Sequence, residues 1–197
     1  LDDLRAGAGG GAHGLDGGQD VLGLVAAAHD REVEVVEAQD VDGGAGVDFI
    51  SYANASAAVT VNLATGVVTG PDAADTLISI EGAYGSAFGD TLTGDDNGNF
   101  LRGNGGNDTL DGGDGFDWAD YQNAPSAVVV SLATATSAGG DGVDTLRNIE
   151  GLRGSAFDDT LTGDTGGDWF RGRGGNDAID GGAGEDWIDL SQAANGV

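Results

Sequence analysis

Asp90 and Asp108 stand at the same place in alternate copies of a nine-residue pattern, as do Asn99 and Asp117, Asp159 and Asp177, and Asp168 and Asp186. Each is the sixth residue of its copy, so two copies separate the members of every pair. If two nonapeptides make one coil of a solenoid, these residues stack directly, about 4.8 Å apart. Carboxylates that close repel one another unless something lies between them. A hard cation that collects about six to eight oxygens from carboxylates and carbonyls meets that need, and calcium is such a cation. Magnesium demands a tight octahedral shell and keeps its waters. Zinc prefers Cys and His, and the chain has no Cys and two His.

The elements that must position these carboxylates follow from the same frame. Residues 112–120 (GGDGFDWAD) fit G-G-x-G-x-D-x-U-x, with U apolar, and 85–93, 94–102 and 103–111 precede them in frame. A second run occupies 154–162, 163–171, 172–180 and 181–189; single copies stand at 43–51, 70–78 and 139–147. Position eight (Leu92, Leu101 and Leu110 in the first block) faces inward on a short strand, and positions seven and nine face outward. Glycines at one, two and four allow a tight turn and close carbonyl approach.

A longer period encloses the short one. Ile80-Glu81-Gly82 recurs as Ile149-Glu150-Gly151, and at the same offset GSAFGDTLTG (85–94) recurs as GSAFDDTLTG (154–163). Self-similarity at a fixed period means stacked units. Residues 1–42 then read as degenerate N-terminal coils, with Asp2-x-Leu4 and Asp20-x-Leu22 in frame. Residues 43–120 are a first unit with tandem block 85–120. Residues 121–197 are a second, with an insert at 121–138 and tandem block 154–189. The 18-residue insert keeps the frame and is expected to form one degenerate coil. Ala193–Val197 align with Ala124–Val128, so the array is expected to continue.

Coil arithmetic sets the expected columns. One side carries Asp75, Asp90 and Asp108, then Asp144, Asp159 and Asp177; the other carries Asn99 and Asp117, then Asp168 and Asp186. Asp48 has the same sixth position in the copy at 43–51. If the six-residue inserts 79–84 and 148–153 are shortened turns, Glu81 and Glu150 stand at the head of the side that carries Asn99 and Asp117, then Asp168 and Asp186. There they either ligate the cation or cap the coil and face solvent.

Composition narrows the partners. A net charge of −27, with seven basic residues, excludes nucleic acid, whose phosphates need clustered Lys and Arg. An anionic membrane surface is disfavoured for the same reason, and no apolar run approaches the ~18 residues of a spanning helix. Thirty-nine glycines argue against a helical bundle. His13 and His29, in the least regular segment, read as solvent-exposed, and neither HExxH nor GxSxG occurs. No catalytic residue is assigned, and the chain is not expected to be an enzyme.

Across roughly residues 43–192 the nonapeptides resemble the repeats-in-toxin (RTX) calcium-binding motif of secreted bacterial proteins. The resemblance implies an all-β, right-handed parallel β-roll, a solenoid of stacked coils with calcium in the turns. Backbone carbonyls of positions one to four would complete each shell. The glycines concerned, as carbonyl donors or turn formers, are Gly43, Gly85, Gly94, Gly103, Gly105, Gly106, Gly112, Gly113, Gly115, Gly139, Gly140, Gly142, Gly154, Gly163, Gly172, Gly174, Gly175, Gly181, Gly182 and Gly184. Asn99 and its loop at 94–98 depart from the pattern, so a weaker site is expected there. Roughly 4–10 calcium ions would offset much of the charge and couple binding to folding; without them the composition favours disorder. RTX modules occur in metalloproteases, lipases, pore-forming toxins, adhesins and surface-layer proteins, and fold alone does not choose among them. The expected role is a structural repeat module of a longer secreted protein of adhesin, surface-layer or filament type. The alternative is the calcium-dependent folding and secretion module of an enzyme or toxin exported by a type I system.

Five aromatic residues share position seven: Phe49, Phe100, Trp118, Trp169 and Trp187. An outward aromatic stripe suggests docking of another copy of the chain or stacking of a cell-surface polysaccharide. Alternatively, the Val-rich strands at 58–64 and 127–133 fold over it.

Overall fold

The computed structural model describes residues 32–34, 40–71 and 74–191. Asp2-x-Leu4, Asp20-x-Leu22 and both histidines lie outside them. In the tandem nonapeptides three residues form a strand and six a turn, except in 181–189, whose strand has two residues. The strand triplets, such as Thr-Leu-Thr and Phe-Leu-Arg, place one apolar side chain between two that point away, which suits a ribbon buried on one face.

In chain order the strands are β1 (Glu32–Glu34), β2 (Asp40–Asp42), β3 (Phe49–Ser51), β4 (Thr60–Asn62), β5 (Val67–Thr69), β6 (Thr76–Ile78), β7 (Gly82–Tyr84), β8 (Thr91–Thr93), β9 (Phe100–Arg102) and β10 (Thr109–Asp111). They continue as β11 (Trp118–Asp120), β12 (Val128–Ser131), β13 (Thr136–Gly139), β14 (Thr145–Arg147), β15 (Gly151–Arg153), β16 (Thr160–Thr162), β17 (Trp169–Arg171), β18 (Ala178–Asp180) and β19 (Trp187–Ile188). Two sheets result. Sheet A runs β1-β3-β7-β9-β11-β15-β17-β19, parallel throughout. Sheet B has eleven strands, in the order β18-β16-β12-β13-β14-β10-β8-β4-β5-β6-β2. No helix occurs among the described residues. The fold is an all-β roll whose strands are parallel except β5 and β13, which run antiparallel to their neighbours in sheet B.

A single file of side chains fills the space between the sheets. Ile50, Leu101, Leu152 and Phe170 from sheet A meet Val61, Leu92, Leu110 and Leu161 from sheet B, all at 0% exposure. Each such burial contributes about 1.5–3 kcal/mol. With a core one residue wide, every coil depends on the coils above and below it.

The long inserts differ from the expectation. Residues 121–138 add no coil. β12 and β13 pair antiparallel within sheet B, and β4 and β5 do the same one unit earlier. The chain crosses to sheet B at β4, reverses through β5, and returns to sheet A from β6, so one crossing carries three strands. The cause is local: Asn62 Oδ1 accepts the Thr65 N–H at 2.8 Å, and Gly66 follows in the left-handed region at φ 64°. Ala135 takes that place in the second unit, at φ 57°. Four residues around such a turn make a hairpin.

Candidate metal centre

Turns entering sheet A form one side of the roll and turns entering sheet B the other. On the first side, the residue just before each strand is Asp48, Glu81, Asn99, Asp117, Glu150, Asp168 or Asp186, in seven consecutive layers. Backbone N–H groups tie neighbouring layers. Asn99 N–H donates to Asp117 Oδ1 at 2.7 Å and Asp168 N–H to Asp186 Oδ1 at 3.0 Å. Asp48 N–H donates to Glu81 Oε2 at 2.9 Å and Asp117 N–H to Glu150 Oε2 at 3.0 Å. No layer here lacks an oxygen-bearing side chain, but the ties stop at Glu81 and Glu150, whose N–H groups donate to the Asp48 and Asp117 carbonyls instead.

The second side is interrupted, and its grouping corrects the coil arithmetic. Asp90 N–H donates to Asp108 Oδ1 at 2.7 Å, and Asp108 N–H to Asp144 Oδ1 at 2.9 Å, so Asp90, Asp108 and Asp144 form one column. Asp159 and Asp177 form another, at 3.0 Å. Asp75 does not stack on Asp90, because β4 and β5 lie between them. At those hairpins Val59 and Val128 occupy the layer position of the aspartates; their side chains are buried, and their N–H groups donate to Asp90 and Asp159. Tyrosines close the columns. Tyr52 Oη donates to Asp75 Oδ2 at 2.8 Å and Tyr121 Oη to Asp144 Oδ2 at 3.0 Å. Ser137 Oγ also donates to Asp144 Oδ2, at 2.7 Å. Nothing in the nonapeptide pattern flags these tyrosines; the offset from Tyr52 to Tyr121, equal to that from Glu81 to Glu150, is the signal that could have.

Glycine at position one lets the carboxylates and carbonyls converge. A Cβ on Gly94 would collide with Asn99 Oδ1 and the Gly112 carbonyl, and one on Gly163 with Asp168 Oδ2 and the Gly181 carbonyl. Gly85 faces Asp90 Oδ2 and the Gly103 carbonyl, and Gly154 faces Asp159 Oδ2 and the Gly172 carbonyl, in the same way. Gly103, Gly172 and Gly181 back onto the carboxylates of Asp108, Asp177 and Asp186. Further round the turns, Gly106, Gly113, Gly115, Gly175, Gly182 and Gly184 meet backbone of the adjacent coil. Gly139 and Gly140 instead pack on Ala127 and Ser126 of the hairpin, and Gly142 on Gly106.

Electrostatics shows what these layers lack. Asp48 Oδ2, Asp108 Oδ2 and Asp117 Oδ2 are buried without a hydrogen-bond partner. Burial pushes Asp108 up to about 7, and Asp144, Asp90 and Asp141 add repulsion. Burial likewise pushes Asp117 up to about 6, with Glu150 adding to it. Asp90, Glu150, Asp168 and Asp177 are raised in the same direction, chiefly by burial. Buried carboxyl oxygens without donors, beside carbonyls that carry only partial negative charge, fit a hard cation with a large oxygen shell. Among the described residues no three His, Asp or Glu side chains converge on one point. A cation here would therefore draw on two side chains at a time and on backbone oxygens for the rest.

The comparison with known families agrees with this chemistry. Residues 84–119 and 153–188 match the RTX calcium-binding nonapeptide repeat (4 copies). Both blocks are RTX calcium-binding repeats. They cover the two tandem runs, from the Asp90–Asp108 and Asn99–Asp117 layers to Asp159–Asp177 and Asp168–Asp186. No curated protein matches the chain. RTX repeats bind calcium, belong to secreted bacterial proteins and form a structural rather than a catalytic module. No helix among the described residues is long and apolar enough to cross a membrane.

The stacked coils also organise the aromatic stripe. Ring centroids follow one another along sheet A: Phe49 to Phe100 at 5.8 Å, Phe100 to Trp118 at 6.2 Å, Trp118 to Trp169 at 6.2 Å and Trp169 to Trp187 at 6.3 Å. Two strands contribute glycine to this row, Gly82 and Gly151, and the rings of Phe49 and Trp118 lean over them. The contacts therefore bridge the missing rungs. Trp169 and Trp187 are exposed, Phe49 and Phe100 half-buried and Trp118 buried. The strands at 58–64 and 127–133 do not cover the stripe, since β4 and β12 lie in sheet B. Beside it runs a charged row that the spacing did not suggest. Arg102 and Arg153 both pair with the buried Asp120, at 2.6 and 3.3 Å, and Arg102 lies over the Tyr84 ring at 3.9 Å. Phe116 joins from a turn, 6.1 Å from both Trp118 and Trp169.

Proposed function

We propose that the chain is a calcium-folded structural module of a secreted protein of adhesin, surface-layer or filament type. The observation that carries this reading is the stacking of buried carboxylates in register, with oxygens of Asp48, Asp108 and Asp117 left without donors. In this reading the pairs Asp90–Asp108, Asp108–Asp144, Asp159–Asp177, Asn99–Asp117 and Asp168–Asp186 hold calcium together with the glycine carbonyls that face them. The bound ion supplies the positive charge that lets the layers approach. The chain's own part is to present oxygens at the coil spacing and to keep side chains other than hydrogen out of the gap. Where calcium is scarce the −27 charge keeps the chain open for export; outside the cell, binding closes the roll. The exposed Trp169 and Trp187 give the folded module a surface for another copy of itself or for polysaccharide.

Native mass spectrometry of the chain in calcium, then in magnesium, tests the reading. Several calcium ions on the folded species and none or few magnesium ions are expected. A folded species that carries no calcium at millimolar supply contradicts it.

A further inference from the structure

The turns Ser79–Glu81 and Asn148–Glu150 do not follow the nonapeptide pattern, and the matched blocks do not include them. Each has three residues where its neighbours have six. Ser79 and Asn148 adopt φ of 53° and 49°, Ile80 and Ile149 enter the core, and Glu81 and Glu150 come directly before a strand. The left-handed residue has a visible effect: its carbonyl takes the place that a position-one glycine carbonyl has elsewhere. A Cβ on Gly43 would meet the Ser79 carbonyl and the Asp48 side chain, and one on Gly112 the Asn148 carbonyl and the Asp117 side chain. The ordinary layers show the same pairing at Gly94 and Gly163.

Two of the three buried carboxyl oxygens without a partner belong to Asp48 and Asp117, the residues that face these turns. Asp48 is 5% exposed and Asp117 0%. The N–H groups of Glu81 and Gly82 both donate to the Asp48 carbonyl at 3.0 Å. Glu150 and Gly151 donate to the Asp117 carbonyl at 3.1 and 2.8 Å. The arrangement is thus built twice, with the same parts. Each glutamate also borders a recess that it shares with an aspartate of the following turn, about 280 Å³ between Glu81 and Asp95 and about 420 Å³ between Glu150 and Asp164.

From this geometry we infer that the Asp48–Glu81 and Asp117–Glu150 layers are calcium sites of a mixed type, in which a glutamate on a three-residue turn replaces the aspartate of a six-residue one. The inference rests on the reading of the ordinary layers as calcium sites. Its consequence is structural. At each hairpin the second side loses its carboxylate column, while the first side keeps a carboxylate pair, Asp48–Glu81 in the first unit and Asp117–Glu150 in the second. The mixed sites therefore clamp the hairpin inserts into the roll.

Long-wavelength anomalous diffraction from crystals of the wild-type chain grown in calcium gives the direct test. Peaks beside Asp117–Glu150 and Asp48–Glu81, as well as beside Asp168–Asp186, are expected. Peaks at the ordinary layers with none at the mixed ones overturn this inference alone; no peak anywhere overturns the reading beneath it as well. In solution, Glu150→Gln keeps an oxygen to accept the Asp117 N–H but removes the charge. It should lower the calcium count in native mass spectra by one and raise the calcium midpoint for folding several-fold, whereas Glu185→Gln on an exposed turn leaves both unchanged. An unaltered count in Glu150→Gln means that the glutamate is only a cap.

Discussion

Asp108 has one oxygen on the Asp90 N–H and the other without a partner, 2% exposed. Replacement by Asn keeps the shape and the acceptor yet removes the charge. Asp108→Asn should raise the calcium midpoint of folding about tenfold or more, about 1.4 kcal/mol per tenfold, measured by circular dichroism. An unchanged midpoint would remove Asp108 from the ligand set. The Gly94→Ala change acts sterically, since its methyl group would meet the Gly112 carbonyl and Asn99 Oδ1. Loss of calcium-dependent order is expected, with no rescue by more calcium. Protons should replace calcium in part. The carboxyls of Asp108 and Asp117 are raised by burial, to about 7 and about 6 in the ion-free fold, above the ordinary ~3.9 of an unfolded chain. A raised folded pKa stabilises the fold fully below the unfolded value, and that contribution is lost as pH rises through about 6–7. The chelated chain should therefore be more ordered at pH 5.5 than at pH 8, by hydrogen exchange; the reverse order contradicts the account.

At the scale of elements, the tandem strands were legible because turn glycines and a single inward residue recur every nine positions. The hairpins were not. Their eighteen residues fit the nonapeptide frame by length alone, and the turns at Asn62–Gly66 and Ser131–Ala135 decide the direction of the chain instead. Likewise the columns on the second side could not be assigned by counting, because Asp144 reaches Asp108 across the whole hairpin insert. The Arg102–Asp120–Arg153 row has no signal in the sequence, because position nine has no fixed residue type in the pattern. It is a buried charge group, and breaking one partner of such a group costs about 3–5 kcal/mol. Asp120→Ala should thus lower the stability of the calcium-bound roll by an amount in that range, read from urea unfolding at fixed calcium. A loss no larger than that of an ordinary surface substitution, about 0.5 kcal/mol, would show the row to be decoration. In the core, Leu101→Ala removes a fully buried side chain from a file one residue wide and should cost about 2–5 kcal/mol.

For the whole molecule, two forces act in opposition. On the proposed reading, the net charge of −27 opposes closure, and a narrow core of Leu, Ile and Val would not hold the chain closed alone. On the same reading, stacked layers of carboxylates would make the folded state depend on calcium, so that binding and folding are one equilibrium. Layers stacked on both sides of the roll would give the coils a shared dependence, and a cooperative transition is expected. Far-UV circular dichroism during a calcium titration, with magnesium as control and chelator for reversal, tests this most directly. The account predicts a cooperative, reversible gain of β signal with calcium alone. A spectrum already ordered in chelator at neutral pH, and indifferent to calcium, would contradict it.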